Sequence, residues 1–429
     1  MSARPYVARL LLPDGSPAPE ADLKEAFLCD SQFDPYDPET CRPGKNGELR
    51  LVYPRSPFIL CAPLNVSTVG RKTFYATAGA SGYRSASALH QSLLNREIAQ
   101  SHLARVSQTA KWAAKRIGAN EGLTKGLNES RAFLDAARAT AAPEQVARLA
   151  DQSLVLSVGL GEQLTETIAR ARISRVGMRE AFLFGLAPGS DWDLTAQTCN
   201  AVAVRCDWFG DGIEAEAALA ECVARRLVCQ IEDDPWPAAA KQADTVASVA
   251  HTAQSALAAS MRRFRGRSRY WQIAKGLYRF AGRYRISIDN VIVIVAGLGA
   301  IAHETDSHAV RIVSLPLTGA SASPGPMGED GLTRGPLSTA SALVDANAPF
   351  ECLEVEVDSR HDLHTIEEML ERFAEFGKPI QVRALASVGA REFSLLLKIA
   401  YSKAYVMGCL WDRPETRAMA AARHQLHPD

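Results

Sequence analysis

The chain has 429 residues, of which 47% are hydrophobic and 22% charged, a composition that belongs to soluble globular proteins and can bury a core. Equal numbers of basic and acidic residues, 48 of each, leave no formal net charge and exclude a global field drawing the molecule to nucleic acid or an anionic membrane. The length exceeds one ordinary core and suits a barrel of about 250 residues with a smaller accessory unit.

No apolar run approaches the roughly 20 residues needed to span a bilayer, and Met1-Ser2-Ala3-Arg4-Pro5 leads into no apolar stretch before Pro13 and Asp14. A cytoplasmic protein without a membrane or nucleic-acid partner is expected. The nine cysteines (Cys29, Cys41, Cys61, Cys199, Cys206, Cys222, Cys229, Cys352 and Cys409) contain no Cys-x-x-Cys pair, which argues against a disulfide framework and a zinc site.

In chain order, residues 1–85 read as a small β domain. Its strands are expected at 7–12, 48–53, 58–61 and 72–77, separated by Pro13-Asp14-Gly15, a Pro-rich loop at 33–38 and the turn Pro43-Gly44-Lys45-Asn46-Gly47. Residues 86–177 switch to a period of 3.6, with Leu89, Leu93, Leu94, Ile98 and Leu103 on one stripe and Val146, Leu149, Leu154, Leu156 and Leu164 further on. This predicts a helical connector, interrupted at 118–126. From 178 to 429 strand-like and helix-like segments alternate, with strands expected at 182–187, 201–205, 227–231, 270–274, 310–315, 352–357, 380–385 and 405–410. Eight such strands with intervening helices predict an α/β fold, a (β/α)8 TIM barrel, and the Pro- and Gly-rich run 320–336 then falls in a loop on its C-terminal face.

Several phrases in this last region resemble glycoside hydrolase family 10, the endo-xylanase family. Phe184-Gly185 stands where that family opens its barrel, and Asn200 through Val204 followed by Trp208 resembles the second-strand region of a divergent branch. Phe264-Arg265-Gly266-Arg267, leading to Trp271, is similar to the phrase before the acid/base strand. Residues 310–316 resemble strand five, 350–384 the sixth and seventh strands, and 403–412 the last strand with its Trp411. The likeness covers about residues 178–412 and implies a jelly-roll-like character for the leader domain.

The departures from the family pattern fall on the chemistry. A retaining glycosidase needs two carboxyl groups about 5–5.5 Å apart. The family's acid ends the phrase Trp-Asp-Val-Val-Asn-Glu; here Trp271 is followed by Gln272-Ile273-Ala274-Lys275-Gly276, so Gly276 stands at the acid position. The nucleophile follows Gly-Lys-Pro-Ile in Thr-Glu; here those positions hold Arg383 and Ala384. The resemblance therefore implies a catalytically degenerate member, a pseudoenzyme, keeping a cleft for a β-linked, xylan-like oligo- or polysaccharide. Glu356 and Asp358, two apart on the sixth strand, are candidates for relocated catalytic carboxylates, with Glu232, Asp233 and Asp234 ending strand three. Lys275 and Arg383 would set two cations among these acids, as sugar contacts or as ion pairs closing the mouth. Trp208, Trp236, Trp271 and Trp411 suit a stacking groove and suit rim packing equally.

Other signals carry less. Nine basic residues between Arg262 and Arg285 interleave with aromatics as in single-strand nucleic-acid binders, but the run crosses a helix end, a strand and a loop, so its charges share no face. Gly297-Leu298-Gly299 lies inside an apolar helix and is no dinucleotide fingerprint, so no cofactor is expected. His361 and His364 lack a third ligand, so no metal is expected, and no Ser-His-Asp arrangement stands out. Three functions remain open: a saccharide-binding barrel without hydrolysis, an active glycosidase with displaced carboxylates, and a structural or partner-binding barrel.

Overall fold

The computed structural model describes residues 6–36, 40–52, 57–78, 82–118, 120–187, 191–318 and 325–426. Parts of the expected strand 48–53, of the loop 33–38 and of the run 320–336 lie outside the described residues. The chain divides into two compact units: the first holds residues 1–171 with returns of the chain near Thr318 and at Arg360–Glu368, the second the rest.

Among the described residues the first unit contains six strands: β1 (Tyr6–Arg9), β2 (Phe27–Cys29), β3 (Cys41–Pro43), β4 (Glu48–Leu51), β5 (Ile59–Val66) and β6 (Gly70–Ala76). They form two antiparallel three-stranded sheets, ordered β1-β4-β3 and β2-β5-β6. Two edge strands, β2 and β3, escaped the sequence reading because three residues are too few to show alternation, and Pro43 reads as a turn residue. A short helix α1 (Glu20–Glu25) precedes β2, and three long helices follow the sheets: α2 (Leu94–Ile117), α3 (Glu121–Ala139) and α4 (Pro143–Val176). The break between α2 and α3 is short, since Asn120 caps α3 through its side chain and helix resumes at Glu121. Leu94, Ile98, Leu103, Leu154 and Val158 join sheet residues such as Leu49, Leu60 and Phe74 in one apolar core.

The second unit is a closed parallel barrel of eight strands, β7 (Leu183–Leu186), β8 (Ala201–Arg205), β9 (Val228–Glu232), β10 (Tyr270–Gln272), β11 (Val310–Pro316), β12 (Cys352–Val357), β13 (Ile380–Ala384) and β14 (Val406–Trp411), each paired with its neighbours in sequence and β14 with β7. The helices are α5 (Trp192–Thr198), α6 (Ile213–Ala224), α7 (Trp236–Lys241), α8 (Val246–Arg263), α9 (Leu277–Arg283), α10 (Ile288–Thr305), α11 (Pro336–Asp345), α12 (Leu363–Ala374), α13 (Ala390–Tyr401) and α14 (Thr416–His424). This is the (β/α)8 architecture that the alternating pattern predicts. Helix α10, 18 residues long, is apolar enough to meet the length and composition needed to cross a membrane, which the residue reading passed over. It stands between β10 and β11 in the ring of helices, packed on α8 and α11. All nine cysteines are free and buried.

Candidate functional site at the barrel mouth

Successive strand residues face opposite sides, so each barrel strand offers one set to the lumen and one to the helices. Contacts between strands on opposite sides of the barrel identify the lumen set. Gln381 on β13 donates to Gln230 Oε1 on β9 at 2.6 Å, and Arg383 Nη2 reaches both carboxylate oxygens of Glu232 at 2.7 and 2.6 Å. Gln230, Glu232, Gln381 and Arg383 therefore point inward, and the parallel register adds Gln272, Glu354, Glu356 and Ser314.

These residues form two floors. On the lower one the wholly buried Glu354 carboxylate accepts from Gln230 Nε2 at 2.9 Å, Gln381 Nε2 at 3.1 Å, Ser314 Oγ at 3.3 Å and Gln272 Nε2. Burial pushes the Glu354 carboxyl up, while Arg383 and Lys275 pull it down. On the upper floor Glu232 is shared by Arg383 and by Lys275 Nζ at 2.9 Å. Burial alone would raise Glu232, but these two cations outweigh it and hold its carboxyl below the usual range. Arg383 Nε also lies 2.5 Å from Asp412 Oδ1, and its acids raise its pKa against the desolvation that would lower it. Glu356 accepts from Ser314 Oγ at 2.9 Å and pairs with Arg279, which is half exposed.

The two positions of the expected family carboxylates differ in kind. Ala384 shares the side of Ile380 and Val382, so it faces the helices, and the lumen position at the end of β13 belongs to Arg383. The expectation of a nucleophile site at Ala384 is corrected by one residue, because alternation turns a side chain at 384 away from the mouth. Gly276 sits at the turn into α9 with φ of 72°, a conformation that favours glycine. A Cβ there would come within 2.6 Å of an Asp234 carboxylate oxygen. Asp234 thus fills the space where the acid's stem would stand, and burial raises its carboxyl pKa. Its neighbour Asp233 accepts from the Trp208 backbone N–H at 2.9 Å and is pushed up to about 6 by burial. Asp358 lies just beyond β12, half-buried and two residues past Glu356.

The tryptophans are placed elsewhere than in an open groove. Trp271 and Trp411 each lie one residue from a lumen position, so both face the helices. Trp411 stacks on Phe393 of α13 with ring centroids 4.3 Å apart and donates to the Val388 carbonyl, and Trp271 donates to the Ser268 carbonyl. Trp236 stacks on Phe280 and donates to the Lys275 carbonyl, and Trp208 is buried. Trp411 and Trp236 spend a face on aromatic partners of the helices, and Trp208 and Trp271 are buried.

A second polar cluster lies in the first unit, where sequence spacing gave no Ser-His-Asp arrangement. His102 Nδ1 lies 2.9 Å from Ser157 Oγ, and its Nε2 lies 3.6 Å from Asp362 Oδ1. All three are buried, and Ser157 also donates to the Leu154 carbonyl. Burial would raise Asp362, but His102, Arg105 and His364 outweigh it and hold it well below the carboxylate range. His364 is lowered, chiefly by burial, and its Nε2 lies 3.0 Å from Thr109 Oγ1. Without solvent access to Ser157, this arrangement has no route for a substrate and is a packing device.

No family model matches the chain, and no curated protein matches it. Among solved structures, xylanase 10B of Thermotoga maritima is 14% identical with a TM-score of 0.41, over 58% of this chain and 85% of that one. An intracellular xylanase mutant of Thermoanaerobacterium saccharolyticum in complex with xylotriose is 13% identical with a TM-score of 0.37, over 54% and 85%. The methylaspartate ammonia lyase of Citrobacter amalonaticus is 10% identical with a TM-score of 0.42, over 94% and 98%. The structural similarity to family 10 xylanases is thus at low sequence identity, and the barrel assignment rests on the strand pairing itself.

Proposed function

We propose that this barrel is a family 10-like scaffold that binds a polyhydroxylated ligand, a β-linked oligosaccharide, at its C-terminal mouth and does not carry out the family's two-carboxyl hydrolysis. The observation that carries the reading is Arg383 at the lumen end of β13, locked on Glu232 and Asp412 where a nucleophilic carboxylate would have to stand. A guanidinium cannot attack an anomeric carbon, and with Gly276 opposite, both groups that a retaining mechanism requires are missing. What the mouth offers instead is a fixed set of donors and acceptors. Lys275, Arg279 and Asp412 keep part of their side chains in solvent while their partners hold them in place, the preorganised arrangement that hydroxyl recognition favours.

The test is calorimetric titration of purified protein with xylo- and cello-oligosaccharides, beside a reducing-sugar assay on xylans and β-glucans. Binding without turnover, weakened by Lys275→Ala and Arg279→Ala, supports the reading; absence of binding to the whole panel overturns it. One observation favours a second reading, in which carboxylates have moved. Asp234 fills the space beside Gly276, and Glu356 stands on the sixth strand. Turnover abolished by both Asp234→Asn and Glu356→Gln would establish that reading instead.

A further inference from the structure

The three long helices α2, α3 and α4 form a half-open pocket of about 240 Å³, a little below the ~300–1,000 Å³ of drug-sized pockets. Its floor is apolar: Ala110, Ala113, Ile117, Leu123, Leu127 and Leu164 come from α2, α3 and α4. Two cations, Lys111 and Arg131, stand at its edge, and among the described residues lining it there is no acid. In a chain with equal numbers of acids and bases, that asymmetry is local to this wall. Lys111 has no ion-pair partner among the described residues, and Arg131 reaches only the Asn128 side-chain oxygen, at 3.3 Å.

A second observation points the same way. Serine on a helix either faces solvent or back-bonds to the carbonyl one turn earlier. Ser107 lines this cavity with its Oγ buried and no hydrogen-bond partner among the described residues. An unsatisfied buried hydroxyl is costly, and a polar atom of a ligand would satisfy it.

We propose that this cavity binds a small anionic amphiphile, a single unbranched alkyl chain ending in a carboxylate. The alkyl chain lies on the floor formed by Ala113, Leu123, Leu127 and Leu164, and the carboxylate meets Lys111 and Arg131. Charge complementarity selects an anion over a cation of the same apolar body, and the volume admits one chain rather than a helix of a partner protein.

Decanoate below its aggregation concentration, titrated calorimetrically into the full chain, tests this directly, with decyltrimethylammonium as the control of opposite charge. Saturable binding of decanoate alone is expected. The exposed charge reversals Lys111→Glu with Arg131→Glu should weaken it by about tenfold or more, the equivalent of ~1.4 kcal/mol. Ala114→Trp, at an exposed lining position, should block the cavity and abolish binding. Circular dichroism of both variants checks that the helices remain. No decanoate binding, equal binding of the ammonium probe, or wild-type affinity in either folded variant overturns the proposal. None of these outcomes bears on the barrel mouth.

Discussion

The molecule buries polar groups in two places, and the two clusters solve the same problem with different chemistry. In the barrel lumen a guanidinium, an ammonium and carboxylates neutralise one another across opposite strands. In the first unit the pairing depends on histidine, with His102 and His364 set among Asp362, Arg105 and hydroxyl groups. Arg and Lys keep their charge throughout the physiological range, whereas histidine changes state within it. The Arg383 and Lys275 charges make the upper floor of the lumen a fixed device, whereas in the first unit His364, lowered chiefly by burial, is a group whose protonation depends on the fold.

The largest effect should come from breaking the fixed device. Arg383→Met keeps length but leaves Glu232 with Lys275 alone, and the expected loss is about 3–5 kcal/mol in urea unfolding. Adding Glu232→Gln should restore part of it, because the uncompensated charge is then gone. A double variant as unstable as the sum of the two single variants would mean that the pair does not act as a unit.

Asp362→Asn should cost less, about 1.5–3 kcal/mol, as the loss of a buried charged hydrogen-bond acceptor. Its sign with pH follows from the depressed carboxyl. The stabilisation is present above the unfolded-state pKa of about 4 and is lost as pH falls through the lower folded value. The variant should therefore approach wild-type stability in acid, which stability curves from pH 7 to pH 2 will measure.

The smallest effect, about 1 kcal/mol at neutral pH, is expected for His364→Gln, which alters the contact to Thr109. It sharpens the comparison most. The folded pKa of His364 is lowered, so the unfolded chain takes up the proton first, and wild-type stability relative to this variant should fall as pH drops below about 6.5. A difference that stays constant between pH 7 and pH 5 would remove histidine from the account.

The barrel was legible in the sequence because eight apolar runs alternate with amphipathic helices, and each expected strand overlaps the observed one. The lumen network was legible only in part. Lys275, Arg383 and Glu356 stood out as charges in apolar surroundings, but Gln230, Gln272, Glu354 and Gln381 did not. The signal was present as polar residues at every second position, Gln230 and Glu232, Glu354 and Glu356, Gln381 and Arg383. Read with period two, it turns Trp271, Ala384 and Trp411 towards the helices, where motif position alone had set them at the cleft. The association of His102 with Ser157 and Asp362 was out of reach, since they lie 55 and 260 positions from it and no local pattern links them.

The ties between β9 and β13 bear on how such a barrel can be assembled. A fragment ending after β10 would hold Gln230, Glu232 and Gln272 but none of Glu354, Gln381 and Arg383, so the polar groups of its inner face would lack the partners that satisfy them. Closing the ring must precede any gain from these contacts, which places them among the late, long-range events of folding. Half of this barrel, expressed alone, should remain unfolded, and mixing the two halves should restore structure only when both are present.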